Sequence, residues 1–439
     1  MKDIPLSKPY QPAPAPGRPS RAPKATRRYP WPLMMLLVTV FQALSFAPVW
    51  LRQPEPEPLL LLSFVLFPAA EWLFLFLLRF AGKQRRLELE VLGLWLSGIG
   101  LTVCGSLSAE YAWKQGAAIL MGMAVYGVLL WVIASPDRAM KLRPLVAVGA
   151  VGLLLLNLLL ARVINGARNW IDIGPFSIQP SELVKLAFLF VGAATLDRLQ
   201  STQSITRYLI FSLGCVGALF LMQDFGTALI FFATFLIIVF LRSGDLRAIA
   251  LVCAAAVMGA GLIIFFKPYV YRRFMVYRHV WEQITEGGYQ QTRVLIYSAS
   301  GGWFGLGIGN GRLRQVFAAS TDLVFGILAE EWGRVLAFLV PVCYICMAVY
   351  ALRAARHARS SFYTILTISA AGMLLFQAGL NIFGITDLLP LTGVTLPFIS
   401  RGGTSMLCAW GLLAFLRAGS MDRRAERLKA GEKYEIGGL

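Results

Sequence analysis

Charge is what this sequence has least of. Only 15% of its 439 residues are Asp, Glu, Lys or Arg, where a soluble domain carries roughly a quarter. Acidic residues are the scarcer sign, 23 Asp and Glu against 41 Lys and Arg, for a formal net charge of +18. A nucleic-acid surface needs dense positive charge, so this thinly spread excess excludes nucleic acid as a partner. Histidine is nearly missing, with two residues, and there are six cysteines, which rules out a disulfide scaffold. What the chain has instead is apolar residues, 57% of the total. That composition excludes a disordered chain or a secreted enzyme and predicts a polytopic membrane protein.

A bilayer core of ~30 Å takes about 20 mostly apolar residues per helix. Twelve stretches qualify, near 31–50, 58–79, 87–107, 113–133, 144–163, 180–197, 206–223, 225–241, 246–267, 323–352, 361–385 and 396–418. Lipid offers no partner to a free amide, so these stretches are expected to be helical. An even number of crossings puts both termini on one side. With the N-terminus in the cytoplasm, 27 of the 41 basic residues fall in cytoplasmic segments, as the positive-inside rule requires. Residues 1–30 read as a disordered cytoplasmic tail rich in proline. Residues 31–86 hold the first helical pair, 87–418 the main transmembrane domain, and 419–439 a cytoplasmic tail. One outer loop, 268–321, is far longer than a connecting turn. Its Trp281, Tyr289, Trp303 and glycines predict an ordered, functional loop.

Several features have an ordinary explanation. All six cysteines lie in apolar segments, and the pair Cys343 and Cys346 sits mid-helix, so they read as buried small hydrophobes. His279 and His357 fall on opposite sides of the membrane and cannot share a site. The run from Gly305 to Gly311 has glycines at every second position, but it follows no strand and has no βαβ setting. Tight turns account for it better than a dinucleotide loop.

Ionisable residues at a membrane edge are costly and are functional candidates. Around Arg168, Trp170 and Asp172, a polar stretch leads into Pro180, which suits the first turn of a helix, and Glu182, which the helix dipole favours there. Lys185, three residues on, can pair with Glu182. In the next group, Asp322 opens an apolar helix. Glu330 and Arg334 stand at i and i+4, with Glu331 beside them, and are expected to pair and hold the helix. Asp322 then reads either as a helix cap or as a general base at the mouth of a pocket. Asp224 marks a tight turn and reads as a cap. Between Thr392 and Ser405, Pro397 and the pair Gly402–Gly403 break any helix. That stretch, with Ser400 and Arg401, must line a cavity or be buried in protein. Finally, Lys267, Arg272, Arg273, Arg278, Arg293, Arg312 and Arg314 place positive charge on the outer face. Such a cluster suits anionic, phosphate-bearing headgroups.

At these residues the chain resembles the SEDS family (shape, elongation, division and sporulation), which includes RodA, FtsW and SpoVE. The resemblance rests on WIDIGPFSIQPSELVKL, QDFGTAL, YQQTRVLIYSASGGWFGLGIGNG, TDLVFGILAEEWG and TGVTLPFISRGG, in that order, from about residue 87 to 418. It implies an all-α polytopic membrane protein with a ten-helix core, to which 31–50 and 58–79 are an addition. It also implies a peptidoglycan glycosyltransferase that polymerises lipid II at the outer face of the bacterial cytoplasmic membrane. By the same resemblance Asp322 is the catalytic acidic residue and Trp170 the tryptophan of the earlier outer loop. The expected substrate contacts are Trp170, Arg168, Lys185, Glu182, Gln291, Arg293, Ser400, Gly402 and Gly403. Glu330, Glu331, Arg334, Asp224, Pro180 and Pro397 are expected to be structural.

On this expectation Asp322 takes the proton of an acceptor hydroxyl, and Arg168, Lys185 and loop arginines stabilise the departing diphosphate. A single carboxylate suffices for a base, whereas a pair suggests glycoside hydrolysis. No carboxylate cluster calls for a resident metal, although Mg²⁺ or Mn²⁺ could share the diphosphate. The expected protein partner is a monofunctional (class B) penicillin-binding transpeptidase. Two other classes remain open: a lipid II flippase, whose ionisable groups would run through the midplane, and a scaffold that only recruits the transpeptidase.

Overall fold

The computed structural model describes residues 31–436, apart from 53–56, 83, 85, 165–166, 174–175, 197–201, 267–270, 272–274, 286 and 359. The expected tail at 1–30, together with Lys267, Arg272 and Arg273, therefore lies outside the described residues. The helices are α1 Trp31–Leu51, α2 Pro58–Phe80, α3 Glu88–Leu107, α4 Ala109–Ile133, α5 Pro136–Leu160, α6 Pro180–Leu196, α7 Thr202–Leu221, α8 Phe225–Ser243, α9 Leu246–Phe266, α10 Tyr289–Ser300, α11 Val324–Glu331, α12 Gly333–Ala355, α13 Ser361–Ile385 and α14 Gly403–Ile436. Each of the twelve apolar stretches meets one of them. Among the described residues, eight helices are long and apolar enough to cross a membrane, which makes this a multi-pass membrane protein.

The helix ends follow their sequence signals. Prolines 58, 136 and 180 stand at first helical positions, where the missing N–H costs nothing. Ser108 caps α4 by accepting the N–H of Tyr111 at 3.1 Å, and Asp224 caps α8 by accepting that of Thr227 at 3.1 Å. Gly244, at φ 63°, closes α8 in the left-handed conformation.

Two elements depart from the sequence reading. The polar stretch before α6 forms a small antiparallel sheet of β1 Arg162–Ile164, β2 Ala167–Ile173 and β3 Phe176–Ile178, in the order β1-β2-β3. Its alternating β-branched and polar residues suit a half-buried ribbon. The expected span 323–352 is not one helix. It breaks at Gly333, whose φ is 84°, into the short α11 and the long α12.

α3 lies at the centre and is the most buried of the candidate spans. Its glycines present bare backbone, as membrane helices use small residues for close approach. A Cβ on Gly100 would sit 2.6 Å from the carbonyl oxygen of Ile399, and one on Gly105 would sit 2.6 Å from Phe64. α3 thus touches α2 on one side and the irregular stretch before α14 on the other. α14 packs on α4, α13 and α6, and its buried Trp410 fills the space left by Gly122 of α4.

Candidate active site

The irregular segment 392–402, between α13 and α14, is the platform of the site. As expected for a stretch with Pro397 and paired glycines, it carries no helix and is mostly buried. Its backbone groups are held by side chains from three helices. Gln377 of α13 donates to the Thr395 carbonyl at 3.0 Å, and Asn381, one turn on, donates to that of Val394 at 2.7 Å. Tyr344 of α12 donates to Pro397, and Gln115 of α4 donates to the Ser400 carbonyl at 3.3 Å.

The long loop ends on this platform. The N–H of Arg401 donates to the Ser320 carbonyl at 2.8 Å. The Ser400 hydroxyl donates to Thr321 and accepts the N–H of Leu396. Asn381 donates to the Asp322 carbonyl at 2.8 Å. Three successive residues, 320 to 322, are therefore tied down immediately before α11 begins. The Asp322 side chain is only partly buried. A Cβ on Gly393 would come within 3.3 Å of its Oδ2. Gly393 itself is exposed, with φ 73°, so the carboxylate lies against bare backbone at an open edge.

Glu182, Glu330 and Glu331, in contrast, are buried. Glu182 pairs with Lys185 at 2.8 Å, and Lys185 also donates to Gln377 at 2.9 Å. The ammonium is wholly inside, taken up by these two side chains and not open at the surface where a substrate contact was expected. It joins α6 to the platform through Gln377.

Glu330 and Arg334 do not pair. The helix break at Gly333 removes the i,i+4 geometry. Arg334 is exposed, and Glu330 accepts the N–H groups of Arg312 at 2.7 Å and Leu313 at 3.0 Å. Glu331 accepts those of Gly309 at 2.8 Å and Gly311 at 3.2 Å. Burial, with Glu330 beside it, pushes the Glu331 carboxyl above the usual glutamate range. The two glycine amides and Arg314 pull the other way. These two carboxylates fold the loop onto α11.

The remaining expected contacts divide. Gln291 of α10 is buried and donates to the Gly384 carbonyl and to Asp387, at 3.1 and 3.2 Å, and so ties α10 to the end of α13. Ser400 is likewise taken up inside the platform. Arg293 lies over the Tyr289 ring at 5.3 Å. The backbone of Arg168 and Trp170 is in β2, and Trp170 is half-buried; the Arg168 side chain is not among those described. The sheet leads to Gln179, whose N–H reaches Thr404 of α14 at 3.3 Å and whose amide reaches Asp224 at 3.5 Å. Gly402 donates to Gln115 at 3.4 Å, and Gly403 starts α14.

Three residues outside the expected set join the platform. Gln377 and Asn381 are polar residues spaced i,i+4 in an apolar helix, a signal that intramembrane polarity carries. Arg401, partly exposed, lies over the Tyr111 ring at 4.1 Å. It is the cation whose backbone is tied to the strap that ends in Asp322. Beside α11 a cavity of about 240 Å³ is lined mainly by apolar groups, among them Leu295, Phe325, Ala337, Phe338 and Ile385. Among the described residues, no three His, Cys, Asp or Glu side chains gather to hold a metal ion.

The chain is thus a multi-pass helical bundle with a partly exposed carboxylate at the edge of a broken, polar element. Residues 97–424 match the FtsW, RodA and SpoVE family, described as a cell cycle protein, and the chain belongs to that family. It is 30% identical over 368 residues to the probable peptidoglycan glycosyltransferase FtsW of Nitrosococcus halophilus, covering 78% of this chain and 94% of that protein. It is 31% identical over 259 residues to stage V sporulation protein E of Bacillus subtilis, covering 57% and 71%. Among solved structures, a peptidoglycan synthase complex that coordinates polymerization and crosslinking contains a similar chain. The TM-score is 0.65 and the identity 26%, over 76% of this chain and 97% of that one. RodA of Thermus thermophilus matches with TM-score 0.55 and 25% identity, over 76% and 96%.

Proposed function

We infer that this protein is a peptidoglycan glycosyltransferase that polymerises lipid II. The carrying observation is the strap of residues 320–322 on the platform. It sets Asp322, a partly exposed carboxylate, at the edge of the platform, whereas Glu182, Glu330 and Glu331 are buried. Asp322 accepts the proton of the acceptor sugar hydroxyl as that oxygen attacks the donor's anomeric carbon. The bond to undecaprenyl diphosphate breaks with inversion, and the diphosphate leaves with the electron pair. Arg401 takes the place expected of Lys185 as a cation for that leaving group. The diphosphate itself supplies ligands for any Mg²⁺ or Mn²⁺ the reaction uses. The apolar cavity by α11 suits a length of polyprenyl chain.

This reading places the site at the outer face of the cytoplasmic membrane, with both termini inside. It makes a class B penicillin-binding transpeptidase the partner that crosslinks the product. The test is Asp322→Asn, assayed for lipid II polymerisation in detergent. Loss of a positioned general base costs about 10²–10⁴-fold, with the thermal unfolding midpoint little changed. Full-length glycan made at the native rate by that variant would overturn the assignment. Movement of labelled lipid II across vesicles without polymer, by the native protein, would favour the flippase class.

A further inference from the structure

The α1–α2 pair lies outside the residues that match the family, yet it is built into the fold. Gln42 of α1 donates to Glu71 of α2 at 2.9 Å, both fully buried. A Cβ on Gly98 would come within 2.4 Å of the Gln42 amide, so this polar tie sits directly on the bare backbone of α3. Phe46 and Phe64 stack at 4.1 Å. Phe74 meets the edges of Trp410 and Tyr126 at 5.5 and 5.7 Å. A pair fixed by buried polar and aromatic contacts along α3, α4 and α14 holds the residue after α1 in a defined place.

That residue is Arg52. Its guanidinium donates to the carbonyl of Ile308 in the long loop. The same group would lie 3.2 Å from a Cβ on Gly309 and 3.6 Å from one on Gly307. Gly305, Gly307 and Gly309 have φ of 83°, 90° and 79°, so the turn admits a close approach that side chains would block. From its other side the turn is held by Glu331 of α11 through Gly309 and Gly311. Arg314 fastens the next residues to the Ser106 carbonyl of α3 at 3.3 Å. The glycine turn is gripped between the end of α1 and the last residue of α11, and Asp322 stands just before α11.

We propose that Arg52 is a positioning residue, through which the α1–α2 pair braces the glycine turn and keeps α11, and with it Asp322, in register. The rate readout rests on the glycosyltransferase reading; the exchange readout does not. Arg52 is exposed, so its replacement leaves the core intact. In the full-length protein, Arg52→Ala is expected to speed backbone hydrogen exchange across 305–313. It is also expected to lower kcat for lipid II polymerisation about three- to tenfold, with KM unchanged. Arg52→Lys, which keeps a donor and the charge, restores part of both. Native exchange and native kcat in Arg52→Ala would overturn the proposal. A rise in KM alone would overturn it too, because Arg52 would then bind substrate and not position the loop. Faster exchange together with an active Asp322→Asn variant would instead sink the catalytic reading and leave the brace standing.

Discussion

Two buried ion pairs sit at different depths of the bundle, and they differ in what they touch next. Lys185 and Glu182 lie within α6 and continue through Gln377 to Thr395, whose hydroxyl meets that of Ser405 at 2.7 Å. Arg417 of α14 and Glu90 of α3 face each other at 3.5 Å and end on two tyrosines, Tyr126 and Tyr350. Arg417 is fourteen residues beyond Gly403, roughly 21 Å along a helix from the platform. Both pairs hold helices together in a low-dielectric interior. Among the described residues, the first belongs to a hydrogen-bonded network that reaches the platform at Thr395, and the second does not.

The largest expected effects test that difference. Removing one partner of a buried pair leaves an uncompensated charge and costs about 3–5 kcal/mol. Lys185→Met and Arg417→Met are therefore both expected to lower the thermal unfolding midpoint in detergent by similar amounts. Their activities are expected to separate. The folded fraction of Arg417→Met keeps native polymerisation per molecule, whereas that of Lys185→Met loses most of it as the platform shifts. Equal specific activities in the two variants would show that the α6 network is structural only.

A smaller effect is expected where carboxylates hold backbone and not a cation. Glu331→Ala deprives the N–H groups of Gly309 and Gly311 of their acceptor. Leaving a buried donor unsatisfied costs about 1–3 kcal/mol, and here the loop can open to water, which favours the lower end. Hydrogen exchange is expected to rise over 305–313 and remain native in α6. If exchange rose in α6 as well, the two regions would be one unit and the comparison would fail.

How much of this was legible depends on which rule a residue obeys. The helices followed from apolar length, and the Lys185–Glu182 pair followed from spacing within an unbroken helix. The Glu330–Arg334 pair failed because the same rule assumes continuity. Nothing in the apolar content of 323–352 betrays a break; the cue was Gly333, whose backbone freedom permits φ 84°. The sheet before α6 was hidden because a search for long apolar runs passes over short alternating ones. Asp322 stood out by position and by resemblance. Its supports did not, because Asn381 and Ser400 act on backbone carbonyls distant in sequence, contacts that only the packed chain creates. The spacing of Gln377 and Asn381, polar residues one turn apart in an apolar helix, was readable; the carbonyls they hold were not.

Ser400 gives the smallest and most discriminating effect. From sequence it reads as a substrate contact; in the fold its hydroxyl lies between the Leu396 N–H and the Thr321 carbonyl. Ser400→Ala breaks that rung of the strap, but the Arg401 to Ser320 and Asn381 to Asp322 rungs remain. A single hydrogen bond is worth about 1 kcal/mol net. The variant is therefore expected to lose a few degrees in unfolding midpoint and to keep part of its activity, with KM for lipid II unchanged. On the proposed reading of Asp322 as general base, the loss should fall on kcat, because a loosened strap holds its carboxylate in place less often. A rise in KM with native stability would return Ser400 to the substrate, and the strap would then rest on its other two rungs alone.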